Sequence, residues 1–90
     1  MSGCSRTLEI VNRRGLHARA SAKFVTIAAT LPATVWVEKD GHRVTGTSIM
    51  GLMMLGAAMG DSITIHCDGA GCSESIDQLA ALVEGRFGED

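Results

Sequence analysis

The sequence predicts an α+β fold, a two-layer open-faced sandwich in which three helices cover one face of a four-stranded, mainly antiparallel sheet. Short segments that alternate polar and apolar side chains are interleaved with segments whose apolar residues recur every three or four positions, in the order βαββαβα. The chain has 90 residues, one proline and eleven scattered glycines. This length, and the scattered positions of the glycines, predict one small domain without an interdomain linker.

The first predicted strand and helix flank a short polar loop. Thr7–Val11 alternates polar and apolar side chains and ends at the turn-like residues 12–15, so residues 1–6 are predicted as an N-terminal tail. The alanine-rich segment Ala18–Ala29 has high helix propensity. Its predicted apolar stripe consists of Ala22, Val25 and Ala29, with Phe24 and Ala28 beside them.

A β-hairpin is predicted after this helix. Pro32 ends the helix because proline lacks an amide proton and disfavours helical geometry at the residue before it. Thr34–Glu38 is rich in β-branched residues, Asp40-Gly41 is a two-residue turn signal, and His42–Thr45 supplies the returning strand.

The second half of the chain contributes two helices and one strand. Ser48 is placed to cap a short helix over Ile49–Leu55, which Gly56 ends. Ser62–Cys67 alternates as a further strand, and Ser73–Glu84 has helical periodicity. The apolar face of that last helix is Ile76, Leu79, Ala80 and Val83.

Charge and aromatic content argue against nucleic acid as a partner. Eight Lys and Arg residues stand against ten Asp and Glu residues, for a formal net charge of −2. There is therefore no basic excess to neutralise a run of phosphates. One Trp, two Phe and no Tyr cannot form a platform on which bases stack.

The longest apolar run, Ile49–Met59, is interrupted by Gly51 and Gly56 and is shorter than the roughly 20 residues that span a bilayer. No membrane insertion is expected. The first residues lack the apolar stretch of a secretory signal, so a cytoplasmic location is expected.

Three cysteines without a secretory signal argue against a disulfide framework and favour small buried or half-buried thiols. Cys67 and Cys72 have His66 nearby, but no second paired cluster stands at a zinc-site spacing. Neither a metal nor a cofactor is expected.

The segment whose residues are best suited to take part in a reaction is Gly15-Leu16-His17-Ala18-Arg19, where the loop meets the first helix. The unsatisfied amides of a first helical turn and the helix dipole favour an anion such as phosphate. The same positive end disfavours the imidazolium form, so His17 is predicted to stay a neutral nucleophile beside groups that stabilise phosphate.

Arg19 reaches such a phosphate only if His17 is the cap, because residues two apart within a regular helix do not share a face. Its planar guanidinium would then hold the phosphate oxygens, and Arg14, on the loop, would steer a partner. The alternative from spacing alone is a solvated loop with a capping histidine and two surface arginines that carry no chemistry.

Two motifs give the sequence a family resemblance. Gly15–Arg19, followed by Ser21–Val25, resembles the active-centre segment of HPr, the histidine-containing phosphocarrier protein of the bacterial phosphoenolpyruvate-dependent phosphotransferase system. Ser48–Met53, running into Leu55-Gly56, resembles that family's regulatory serine and short helix. The resemblance covers nearly the whole chain after about residue 6, so residues 7–88 are predicted as a single HPr-like domain.

The resemblance implies a role for each matching residue. His17 would take a phosphoryl group at Nδ1 from phosphorylated Enzyme I and pass it to IIA proteins, and Arg19 would hold the phosphate. Ser48 would be modified by an HPr kinase/phosphorylase in bacteria that have one. Its added charge would lie at a helix start, where negative charge is favoured. The chain would act as a stoichiometric carrier and not as an enzyme.

Ile49, Met50 and Met53 are candidates for an apolar docking face, although a Met-rich stripe at helical spacing is equally well explained by core packing. Ala20 stands where the family usually has proline, which is expected to loosen the helix start without removing the site.

Two rival functions stay open on sequence grounds. One is a nitrogen-branch HPr-like regulatory protein, which would keep both His17 and Ser48. The other is a small-ligand-binding α+β domain in which His17 is only a cap. A carrier that exposes one face to successive partners is expected to be a monomer.

Overall fold

The computed structural model describes residues 3–89, which include a sheet of four antiparallel strands. The strands are β1 (Gly3–Glu9), β2 (Thr34–Lys39), β3 (His42–Thr45) and β4 (Ser62–Asp68). They lie side by side in the order β1-β4-β2-β3. The helices are α1 (Ala18–Ala28), α2 (Ile49–Met54) and α3 (Cys72–Glu84), and a 3-10 turn follows at Arg86–Gly88. The predicted α+β class and element order are confirmed.

One face of the sheet carries the core and the other faces solvent. Because side chains alternate along a strand, every second residue points toward the helices. Leu8 lies opposite Ile63 and Val37 lies opposite Ile65, and all four side chains are buried. On the outer face His66 stacks on Trp36, with ring centroids 5.6 Å apart, and its Nε2 lies 2.9 Å from Glu38 Oε1.

The first strand begins earlier than the sequence indicated. Gly3–Arg6, assigned above to a tail, belongs to β1 and pairs with β4, whereas Met1 and Ser2 lie outside the described residues. Most side chains of this stretch are exposed, so no apolar alternation marks it. The strand exists because β4 supplies its hydrogen-bond partners, which a local pattern cannot show.

The buried face of α1 is rotated from the predicted stripe. Ala20, Ser21, Phe24 and Ala28 are buried, whereas Ala29 is exposed. Alanine alone does not define a stripe, because its small side chain is compatible with either face. The bulky Phe24, fully buried, sets the rotation. The predicted face of α3 is confirmed, since Ile76, Leu79, Ala80 and Val83 are all buried.

The expectation of three reduced cysteines is wrong. Cys4 and Cys72 form a disulfide with a Cα–Cα distance of 6.1 Å, which ties the start of β1 to the start of α3. The free Cys67 is buried, directly opposite Cys4 in the sheet. The two bonded residues are 68 positions apart, so only strand pairing and helix packing bring them together. No helix within residues 3–89 is long and apolar enough to cross a membrane.

Candidate functional site

The loop before α1 is held in place by backbone hydrogen bonds. Gly15 has φ +66°, a left-handed conformation that glycine adopts without steric cost. The next amide, of Leu16, donates to the carbonyl of Ala57 over 2.9 Å. Asn12, fully buried, donates from Nδ2 to the carbonyl of Gly15, also over 2.9 Å. The direction in which the chain enters α1 is therefore fixed from two sides.

His17 is the N-cap residue of α1, with extended backbone angles of φ −77° and ψ −178°. Its carbonyl accepts the first helical hydrogen bond, from the amide of Ser21 over 2.9 Å. Within the described first turn, no amide donates to the imidazole. The ring is partly exposed, so it is available for a role other than capping.

A carboxylate from the far end of the chain contacts this imidazole. Glu89 Oε2 lies 2.5 Å from His17 Nε2, and the other oxygen, Oε1, accepts from Asn12 Nδ2 over 3.1 Å. The hydrogen bond with His17 is the main cause that lowers the pKa of Glu89. Desolvation raises the pKa of Glu89 and so opposes this effect. The hydrogen bond from Asn12 and the charges of His17 and Arg14 lower the pKa of Glu89 further. Sequence reasoning missed both Glu89 and Asn12, because neither belongs to a local motif.

The turn that carries Glu89 is anchored on the core and on α1. Phe87 is fully buried and has φ +54°. Its carbonyl accepts a 2.6 Å hydrogen bond from Lys23 Nζ, on α1. The amide of Glu89 in turn donates to the carbonyl of Arg86. Glu89 is thus held over the start of α1 by the folded C-terminal turn.

A basic cleft of about 350 Å³ lies beside Glu89. Its walls include the predicted site residues Arg14 and Arg19, together with Arg13, Lys23, Gly88 and Glu89. Arg19 reaches this cleft because His17 lies outside the helix and Arg19 therefore falls in the first turn. Four cationic side chains around one carboxylate form an environment that attracts an anion.

Ser48 is the N-cap of α2, and its Oγ accepts from the amide of Gly51 over 2.9 Å. The side chains of Ile49, Met50 and Met53 are exposed, with Met50 68% exposed. Leu52 is the buried residue of this helix. Since α2 also contacts α1, these exposed apolar side chains belong to the helix next to the one that His17 caps.

Within residues 3–89, no three His, Cys, Asp or Glu side chains lie together as a metal site. His66, weighed above with Cys67 and Cys72, is instead on the solvent face of the sheet against Trp36.

Comparisons with known proteins identify the family of this chain. The family described as "PTS HPr component phosphorylation site" matches residues 4–85. Phosphocarrier protein HPr of Neisseria meningitidis serogroup A is 50% identical, over 93% of this chain and 94% of that protein. Phosphocarrier protein NPr of Shewanella violacea is 33% identical, over 99% of this chain and 98% of that protein.

The crystal structure of HPr-C-His from Thermoanaerobacter tengcongensis superposes with a TM-score of 0.92 at 41% identity. The superposition covers 97% of this chain and 98% of the Thermoanaerobacter tengcongensis chain. Identity is higher with the HPr relatives than with the NPr relative. The chain therefore belongs to the HPr family and is a phosphocarrier of the phosphotransferase system.

Proposed function

We propose that His17 is the residue that carries the phosphoryl group. The observation that supports this role most is its position: a partly exposed imidazole at the N-cap of α1, joined through Glu89 to a cleft lined by Arg13, Arg14 and Arg19. A carrier must be reached in line by two different proteins. A histidine on an exposed helix start meets that need, whereas a histidine in a closed pocket does not.

Arg19 is proposed to hold the phosphate oxygens. Its guanidinium is always charged and offers paired donors that match two phosphate oxygens. Arg14 lies on the same cleft but on the loop, and is proposed to meet an acidic patch on a partner. The cleft supports these roles because it concentrates positive charge on a chain whose net charge is −2.

The proposed donor is phosphorylated Enzyme I, and the proposed acceptors are IIA proteins. The proposed docking face is formed by Ile49, Met50 and Met53, which are exposed on α2. Methionine side chains are unbranched and polarizable, so one such face can pack against several partners. We propose that the chain acts as a monomer and stoichiometrically, with one phosphoryl group on His17 per chain.

Ser48 is proposed as a site for an HPr kinase/phosphorylase. Its Oγ already accepts a hydrogen bond from the amide of Gly51, so a phosphate there would meet the positive end of α2. The same phosphate would place negative charge beside Ile49 and Met50, where it would hinder docking. Ser48→Asp is expected to keep the helix cap and to slow phosphorylation of His17 by Enzyme I.

The test of the carrier role is incubation with phosphoenolpyruvate and purified Enzyme I, followed by intact mass under neutral conditions and again after mild acid. We expect one phosphate-sized adduct that acid removes and that His17→Ala lacks. His42→Ala, which changes an exposed histidine on β3, is the matched control and should keep the adduct. Failure of the wild type to gain the adduct, with an Enzyme I active on another acceptor, would refute the proposal.

A further inference from the structure

The contact between Glu89 and His17 involves one particular ring nitrogen. Glu89 Oε2 faces Nε2 over 2.5 Å, and the two side chains are only 15% and 19% exposed. A neutral imidazole has one proton and one lone pair divided between its two nitrogens. A carboxylate accepts hydrogen bonds only, so it favours the proton on Nε2. The lone pair is then left on Nδ1.

The carboxylate is held in this position from two sides. Asn12, fully buried, uses Nδ2 to bond both Glu89 Oε1 and the carbonyl of Gly15, over 3.1 and 2.9 Å. The C-terminal turn is fixed by the buried Phe87 and by Lys23. A chance surface contact would not require this support, and an oriented histidine partner does.

We propose that Glu89 is a positioning residue for phosphoryl transfer, which holds the Nε2–H tautomer of His17 so that Nδ1 is the nitrogen that bonds phosphorus. This inference rests on the proposed role of His17. It also supplies a physical reason for the use of Nδ1 that the family resemblance implies.

The proposed step balances without a further reactant. The lone pair of Nδ1 forms a bond to phosphorus, and the bond between phosphorus and the donor breaks, with its electron pair going to the donor. Nε2 keeps its proton, so the phosphorylated ring gains positive charge. The negative carboxylate of Glu89 stabilises that positive charge, and Arg19 faces the oxygens of the incoming phosphate. On transfer to the next protein, a nucleophile of that protein forms a bond to phosphorus, the bond between phosphorus and Nδ1 breaks, and its electron pair returns to Nδ1.

The opposite role for Glu89 makes a different prediction. A carboxylate among Arg13, Arg14, Arg19 and Lys23 also resembles a bound anion, so Glu89 would shield His17 if it occupied the place of the phosphate. Removal of a shield would speed phosphorylation, whereas removal of a positioning residue would slow it. The sign of the rate change therefore separates the two roles.

The first test is nitrogen NMR of the full-length chain labelled with 15N in histidine, recorded at neutral pH without Enzyme I. Two-bond correlations from the ring carbon protons distinguish the Nε2–H from the Nδ1–H tautomer. We expect His17 to be Nε2–H in the wild type and to become a mixture in Glu89→Ala. Glu89→Gln, which keeps an acceptor oxygen without charge, is expected to lie between them. A wild-type ring that is Nδ1–H would overturn the proposal, whether or not His17 carries phosphate.

The second test is the initial rate of phosphorylation by Enzyme I for the same variants. Glu89→Ala is expected to be slower by roughly tenfold, the lower end of what loss of a histidine's supporting partner costs in metal sites. Glu84→Ala, which removes an exposed carboxylate near the end of α3, is the control and should leave the rate unchanged. An unchanged or faster rate in Glu89→Ala would overturn the positioning role. Phosphorylation that persists in His17→Ala would instead overturn the proposed function and leave the tautomer result standing.

Discussion

Gly15 passes so close to the carbonyl oxygen of Ala57 that a β-carbon on Gly15 would overlap it. The adjacent amide of Leu16 donates to that same carbonyl over 2.9 Å. The loop that presents His17 is thus fastened to the segment after α2. The first motif thus contacts Ala57, the residue that directly follows the second motif.

Gly15→Ala is expected to destabilise the fold and to displace His17. The left-handed backbone costs a β-carbon about 1 kcal/mol, and the overlap with Ala57 adds to that cost. Gly56→Ala is the matched control, because Gly56 has φ +64° with open space around it. Urea unfolding should place Gly15→Ala about 1 to 3 kcal/mol below the control. Equal stabilities would contradict the close approach.

The contact between Glu89 and His17 predicts a pH dependence of stability. The pKa of Glu89 lies below its ordinary value of 4.5 in the folded state, so its stabilising contribution is present above pH 4.5. That contribution is lost as the pH falls through the lowered pKa. The free energy of unfolding of Glu89→Gln should therefore be lower than that of the wild type at pH 6, and this difference should shrink as the pH falls below 4.5. Glu84→Gln controls for the loss of one carboxylate. If this difference in the free energy of unfolding instead grew on acidification, the lowered pKa of Glu89 would be contradicted.

Met50→Lys is expected to weaken docking while leaving the fold intact. Met50 is 68% exposed on α2, so a lysine there should change the free energy of unfolding by less than about 0.5 kcal/mol. A charge within an apolar docking face is expected to cost roughly tenfold in kcat/KM for phosphorylation by Enzyme I. Met59→Lys, at 61% exposure and outside α2, is the control. Parallel losses of stability and transfer would show that Met50 acts through the fold.

The cysteines predict a sensitivity to reductant. The disulfide closes a loop between residues 68 positions apart and is expected to stabilise the fold by about 2 to 4 kcal/mol. Reductant should lower the free energy of unfolding of the wild type by this amount and leave that of Cys4→Ser unchanged. Thiol titration of the unfolded chain should count one thiol before reduction and three afterwards.

In the folded chain Cys67 should resist alkylation. Desolvation is the largest cause that raises the pKa of this thiol; Asp68 adds to the effect and a hydrogen bond with Ser75 opposes it. In the titration of the unfolded chain, three reactive thiols before reduction would contradict the disulfide between Cys4 and Cys72.

Local patterns were sufficient for most elements of the fold. The hairpin strand His42–Thr45 has the predicted bounds, and α1 and α3 differ from prediction by one residue at one end. Turn chemistry and helical periodicity depend on neighbours within a few positions, which a sequence displays directly. The start of β1 was missed for the converse reason, since its exposed residues are a strand only because β4 pairs with them.

The sequence by itself determined the α+β class, the family resemblance and the placement of His17, Arg19 and Ser48 at helix starts, since capping and dipole effects act within one helical turn. Only the tertiary structure decided that Glu89 faces Nε2 of His17, that Arg19 shares a cleft with Lys23, and that Cys4 bonds Cys72. These contacts join residues that are far apart in the chain or whose orientation depends on how the helices pack. Folding brings such residues together by burying side chains such as Phe24 and Phe87, and no local spacing encodes the result.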